Sequence, residues 1–130
     1  NMVKVRAYQR RHKIRQEPTH HRIRGFESHD VYVGRDHVGT YVWEKPSPGI
    51  AFIHAIDIRT DWQGKGIGRQ VVREILREMK TLGIYRVELE SYGKAVGFWQ
   101  KMGFYETGDI WEYGEDDLIV MHFDMEDFDG

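Results

Sequence analysis

The sequence predicts an α/β fold, a layer of helices on a mixed sheet, within one domain spanning residues 1–130. Three observations carry this. An apolar run at Ile50–Ile58 leads through a polar turn into a glycine-rich loop, Gln63-Gly64-Lys65-Gly66-Ile67-Gly68-Arg69, which opens into a long amphipathic pattern. A second, short helical pattern at Lys94–Met102 ends at Gly103. Segments that alternate apolar and polar residues stand before, between and after these two, so the order is strands, helix, strand, helix, strands.

From the N-terminus, Val3–Tyr8 sets Val3, Val5 and Ala7 against Lys4 and Arg6 and predicts a first strand. Arg10–Glu27 is polar, interrupted by Pro18 and Gly25, and has no period that assigns an element. Val31–Val33 and Val38–Glu44 predict paired strands around a turn at Gly34-Arg35-Asp36. Pro46-Ser47-Pro48-Gly49 breaks the chain before Ile50–Ile58, an apolar strand suited to the centre of a sheet. Ile67, Val71, Val72, Ile75, Leu76 and Met79 then recur at helical spacing, with Arg69, Arg73, Glu74, Arg77 and Lys80 opposite and Gly83 as the C-terminal cap. Tyr85–Glu90 alternates again, and Phe104–Thr107 and Leu118–Met125 supply the last strands.

Composition excludes several classes. The chain is 40% apolar, as a folded globular protein is, and has no cysteine, so a disulfide framework and a thiolate zinc site are both ruled out. The histidines are scattered, and the adjacent pair His20-His21 lacks a third ligand at helical or strand spacing, so no metal is expected. No apolar run approaches the roughly 20 residues of a membrane span, and the basic N-terminal stretch has no signal-peptide core. A cytoplasmic protein without a membrane partner is therefore expected. Net charge is −2 but uneven: Met2–Arg24 carries Lys4, Arg6, Arg10, Arg11, Lys13, Arg15, Arg22 and Arg24 against Glu17 alone, and no Lys or Arg follows Lys101. Either two solvated ends attract each other, or a basic surface meets phosphates and an acidic rim gathers a cationic substrate.

The glycine loop is the chemical centre of the sequence. A loop opening into a helix gathers free backbone N–H groups and the positive end of the helix dipole, which makes an anion site. The spacing is not that of a P-loop, and Arg69 stands where the dinucleotide fingerprint needs its last glycine. Gln63-Gly64-Lys65-Gly66-Ile67-Gly68 instead resembles the acetyl-CoA pyrophosphate loop of the GNAT superfamily of N-acetyltransferases. About 30 residues on, Ala95-Val96-Gly97-Phe98-Trp99-Gln100-Lys101-Met102-Gly103-Phe104 resembles that family's second motif. The resemblance covers about Ala51 to Thr107. It implies a mixed, mostly antiparallel sheet flanked by helices. The N-terminal helical region would be shortened, since only a short polar stretch follows Tyr8; a thinly covered sheet face would then favour a homodimer or a remodelled substrate groove.

The resemblance also implies a chemistry: an acetyl group passes from acetyl-CoA directly to a primary amine in a ternary complex. The amides of Gln63, Gly64, Lys65, Gly66, Ile67, Gly68 and Arg69 would hold the coenzyme phosphates. The backbone of Ile56, Asp57 and Ile58 would hydrogen-bond the pantetheine arm where two parallel strands splay, with Ser91, Tyr92 and Phe98 opposite, and the Ile58 N–H would meet the developing oxyanion. The amine must be neutral to attack, and deprotonating a lysine-like amine at pH 7 costs about 4–5 kcal/mol, so a base is valuable. His54 aligns with a catalytic histidine of relatives resembling serotonin N-acetyltransferase, and imidazole in general titrates near about 6.5. Simple alternation puts His54 on one strand face with Phe52, Ile56 and Ile58, and Asp57 on the other, as a weaker candidate. The competing reading of His54 is a core histidine with satisfied nitrogens.

Two positions depart from the family pattern. Trp99 stands where the family's usual general acid is a tyrosine, and an indole N–H cannot be given up at neutral pH. Tyr92 replaces an asparagine. Either Tyr92 or Tyr105 supplies the proton, or the thiolate leaves unaided, or the chain binds acyl-CoA without turning it over. The acidic C-terminal part, with Trp111, Tyr113, Glu115, Asp116 and Asp117, suits a cationic acceptor: a small amine, a protein lysine or an N-terminus. A nucleic-acid-binding role for the basic N-terminal stretch is disfavoured, because no recognised module is visible and the C-terminal half is acidic.

Overall fold

The computed structural model describes residues 12–19 and 25–130. Seven strands form one sheet: β1 (Ile14–Pro18), β2 (Phe26–Val33), β3 (Asp36–Ser47), β4 (Ile50–Ile58), β5 (Arg86–Tyr92), β6 (Tyr105–Tyr113) and β7 (Asp116–Asp124), in the order β1-β2-β3-β4-β5-β7-β6. Every neighbouring pair is antiparallel except β4 and β5, which run parallel because helix α1 (Ile67–Thr81) crosses between them. The second helix, α2 (Val96–Lys101), joins β5 to β6. Among the described residues no helix is long and apolar enough to cross a membrane.

Helix α1 forms where the period predicts it. All six residues singled out by spacing are buried, and each contributes roughly 1.5–3 kcal/mol of transfer free energy against the sheet. The helix ends in a Schellman motif: Gly83 adopts φ 73°, its N–H bonds the Lys80 carbonyl, and the Ile84 N–H bonds that of Met79. Tyr41, Trp43, Ile53, Val87, Leu89, Met121 and Phe123 meet the helix from the sheet and complete the core. Helix α2 lies on the same face, since Trp99 packs edge-on to Phe104 at 5.1 Å and Phe104 on Phe123 at 5.3 Å. Among the described residues no helix covers the opposite face.

The predicted strand at Val3–Tyr8 lies outside the described residues. Within the stretch that showed no period, Ile14–Pro18 is a strand after all, paired antiparallel with β2. It is an edge strand, so only its inner residues are held and the Ile-Arg-Gln-Glu-Pro sequence has no need to alternate cleanly. The last two strands form a hairpin that is longer than the sequence predicted, extending through Trp111 and Tyr113.

A larger departure concerns β4. Val42 pairs with Ala55 and Trp43 with Ile53, so His54 is an extra residue, a β-bulge. Past it the alternation is reversed. Ile56 and Ile58 turn to the helix face, in register with the buried Tyr41 and with Gly39, while His54 stays with Phe52 and Glu44 on the uncovered face. Asp57 joins His54 there, opposite Thr40. The expected grouping of His54 with Ile56 and Ile58, and of Asp57 against it, is therefore corrected.

Under α1 the packing includes a polar seam. His29 stacks on Tyr41 at 4.8 Å, and burial, followed by the charges of Glu78 and Glu74, pushes the Tyr41 phenol well above its ordinary range. Burial likewise raises the Glu78 carboxyl above 4.5, with His29 opposing and Glu27 adding to the shift. A carboxyl raised on folding stabilises the native state fully below its unfolded value and loses that contribution as pH rises through the folded value. Glu78→Gln is thus expected to raise the melting temperature at pH 7–8 and to change it little near pH 4. Thermal unfolding across that range checks it.

Candidate active site

The site is built where β4 and β5 part. Their parallel pairing runs from Ile50 with Arg86 to Ile53 with Leu89 and ends there, although β4 continues to Ile58 and β5 to Tyr92. Beyond β4 a single turn at Thr60–Trp62 leads into the glycine loop, which is tied back to the strand: the Gln63 side-chain amide donates to the Ile58 carbonyl at 2.8 Å. Gly64 and Gly66 take φ of 75° and 81°, which other residues rarely adopt, and Gly66 caps α1 without any side-chain hydrogen bond. The N–H groups of Ile67, Gly68 and Arg69 therefore open outward, because the first intrahelical bond is that from Gln70 to Gly66.

A cavity of about 410 Å³ lies in front of these groups. Every predicted loop residue except Lys65 lines it, with Ile58 and Phe98. Phe98 lies over the start of the helix, where a Cβ on Gly68 would meet its ring at 3.7 Å, an ordinary contact distance. Trp62, Lys101 and Met102 also line the cavity and were not anticipated. Lys101 follows Phe98 by three positions, so the helical period places both on one face and following that face finds it. Lys65 instead lies over the Trp62 ring, 5.7 Å from its centroid. The arrangement suits an anion carrying an apolar arm: backbone donors and the helix dipole at one end, with the basic Arg69 and Lys101 beside aromatic and aliphatic walls.

The parting is lined differently on its two faces. On the helix face stand Ile56 and Ile58, and Ser91, which is buried and donates its hydroxyl to the Tyr92 carbonyl at 2.8 Å. On the uncovered face stand His54, Asp57 and Tyr92. His54 sits just past the last paired residue, its Nε2 2.8 Å from Glu44 Oε1 and its ring against Phe26 at 4.8 Å and Phe52 at 4.7 Å. Its side chain is 34% exposed, so it is not an enclosed core histidine. Tyr92, 51% exposed, stands across the parting on β5.

Tyr105 is not brought to this place. It pairs with His122 on β7, and β7 separates it from β5. Its hydroxyl lies 3.2 Å from both oxygens of Asp124, which pairs with Arg86, roughly 10 Å along β5 before the strands part. Desolvation and then the Asp124 contacts raise its phenol above the ordinary value, which makes it a poorer proton donor. Trp99 is half-buried among Phe98 and Phe104 and packs as core. Among the described residues no group of three His, Asp or Glu is placed to hold a metal.

Comparison with known proteins gives the family and the fold. The model of the acetyltransferase (GNAT) family matches residues 5–104. No curated protein matches the chain. Among solved structures, an acetyltransferase from Bacillus subtilis in complex with CoA is similar at TM-score 0.74 and 21% identity, over 86% of this chain and 99% of that one. A GNAT family acetyltransferase from Elizabethkingia anophelis with acetyl-CoA bound is similar at TM-score 0.70 and 17% identity, covering 86% and 97%. A chimeric spermidine N-acetyltransferase from Vibrio cholerae is similar at TM-score 0.71 and 21% identity, covering 79% and 70%.

Proposed function

This chain belongs to the GNAT family of acetyltransferases, acyltransferases that use acetyl-CoA, and we propose that it transfers the acetyl group to a primary, cationic amine by direct attack in a ternary complex. The observation that carries the proposal is the parting of β4 and β5, with the anion-binding cavity on the helix face and His54 on the other. The coenzyme reaches the gap from one side and the acceptor from the other, so the two reactants meet without a covalent enzyme intermediate.

Each residue then has a task. The loop amides from Gln63 to Arg69 hold the pyrophosphate, with Arg69 and Lys101 adding charge. The backbone of Ile56, Asp57 and Ile58 carries the pantetheine arm, beside Ser91 and Phe98, and the Ile58 N–H faces the developing oxyanion. His54 takes the proton of the attacking amine. Tyr92, across the gap and exposed, returns one to the leaving thiolate; Tyr105 is set aside because β7 separates it from the gap.

The acceptor is read from the uncovered face, where Asp57 and Glu90 flank the gap and the hairpin carries exposed Trp111 and Tyr113. Acidic and aromatic groups together favour a cation, as either a small amine or a protein lysine or N-terminus. Spermidine, named for the Vibrio cholerae chimera, is one such cation. The exposed edge strand β6 supports the homodimer reading. Trp99 supports a second reading, a domain that binds acyl-CoA and does not turn it over.

One experiment separates the two readings. Thiol release from acetyl-CoA is followed over polyamines, lysine peptides and free N-termini, with the wild type and with Trp99→Tyr. Release with at least one cationic amine, changed less than about threefold by Trp99→Tyr, is the result expected for an enzyme whose acid lies elsewhere. Coenzyme binding without release, and a large gain from Trp99→Tyr, is the result expected for the silent module.

A further inference from the structure

We infer that Glu44 is a positioning residue for acetyl transfer: held against His54 across the sheet, it fixes which imidazole nitrogen receives the proton of the acceptor amine. This rests on the reading of His54 as the base. Glu44 is on β3 and was not singled out by any motif, because its contact depends on the β4 bulge. The extra residue at 54 leaves Glu44 opposite Phe52 and lets the imidazole lean back over that pair, Nε2 to Oε1 at 2.8 Å. Phe26, which pairs with Glu44 from β2, and Phe52 hold the ring from two further sides.

A carboxylate only accepts, so Nε2 carries the hydrogen of this contact and the lone pair of the neutral ring is at Nδ1. Nδ1 is therefore the nitrogen that works. An ammonium proton passes to Nδ1, directly or through water, and the freed amine pair forms the C–N bond at the acetyl carbonyl carbon. The C–S bond breaks and its electron pair leaves with the sulfur, which takes a proton through Tyr92; the new amide nitrogen loses its second proton to solvent, and the imidazolium releases the first there too. While charged, the ring lies against the Glu44 carboxylate.

Other charged groups share this face but are occupied or displaced. Glu88 on β5 is bonded by Arg86 at 2.8 Å and lies 3.4 Å from His122 on β7. Asp57 on β4 and Glu90 on β5 stand further along the parting. Glu44 is the carboxylate in contact with His54. The contact is partly exposed to solvent, so its removal is expected to leave stability nearly unchanged, and a large effect on rate is not a folding effect.

The test compares the wild type with Glu44→Ala, Glu44→Gln and His54→Ala, using acetyl-CoA and whichever amine of the panel above turns over fastest, from pH 6 to 9. Glu44→Ala is expected to lower kcat about tenfold or more, with the KM for acetyl-CoA within about twofold and the melting temperature nearly unchanged. Glu44→Gln, which can still accept from Nε2, is expected to recover part of the rate. In the NMR spectrum the wild type is expected to show a hydrogen-bonded His54 Hε2 proton that Glu44→Ala loses. Unchanged rates in both Glu44 variants, with His54→Ala impaired, overturn the role of Glu44 alone. Wild-type rates in His54→Ala overturn the base itself, and this inference with it.

Discussion

His54→Ala is expected to lower kcat at pH 7 by about 10²–10³-fold while leaving the KM for acetyl-CoA unchanged. The split follows from geometry: the cavity proposed for the coenzyme is on the helix face and His54 is on the other. The variant must wait for the acceptor to lose its proton unaided. A lysine-like amine is neutral in only about one part in 10³ at pH 7, so the variant's rate should climb close to tenfold per pH unit until the amine titrates. The wild type should level off sooner. Stopped-flow or steady-state thiol release over pH 7–10 reads both curves, and parallel profiles would place the base elsewhere. The ring is partly exposed and its neighbours Phe26 and Phe52 remain, so stability is expected to fall by no more than about 1 kcal/mol.

The parts of this site that were legible in sequence are those made by local geometry. A helix buries residues in a fixed period, so Ile67, Val71, Val72, Ile75, Leu76 and Met79 identify α1 and its buried face without any partner. A loop that must reach φ near 80° needs glycine, so Gly64 and Gly66 mark the anion cradle directly. What stayed hidden depends on the register between strands. Nothing in Ile53-His54-Ala55-Ile56-Asp57 announces an extra residue, since a bulge is a relation between two strands and β3 supplies the other half. Strict alternation therefore assigned Ile56, Ile58 and Asp57 to the wrong faces, and Glu44 could not be seen as a partner of His54. The place of Tyr105 was hidden for the same reason: it follows the second motif directly in sequence, yet its pairing with His122 sets it one strand away from the parting. Trp62 joins the cavity from a single turn too short to carry a period.

Gly66→Val is expected to abolish measurable acetyl-CoA binding. Valine at φ 81° is a strained outlier; a left-handed residue costs about 1–2 kcal/mol before its β-branch is considered, and relief requires the N-terminus of α1 to turn away from the cavity. The amides that would hold the pyrophosphate move with it. The rest of the helix is anchored by six buried side chains, so the fold should persist and circular dichroism should show normal helix content. Gly68 provides the contrast within the same loop. It is inside the helix without a positive φ, and a methyl group there would meet Phe98 at 3.7 Å and Ile58 at 3.9 Å, ordinary contact distances. Gly68→Ala should thus leave the cradle in place and gain up to about 1 kcal/mol in helix propensity. The two variants are compared by the rise in melting temperature on adding acetyl-CoA, which at a hundredfold excess over Kd corresponds to about 2.7 kcal/mol. A full rise for Gly68→Ala and none for Gly66→Val is the expected pair of results. A full rise for Gly66→Val would mean that the pyrophosphate is not held by the backbone at the start of α1, and the functional reading built on that loop would fall with it.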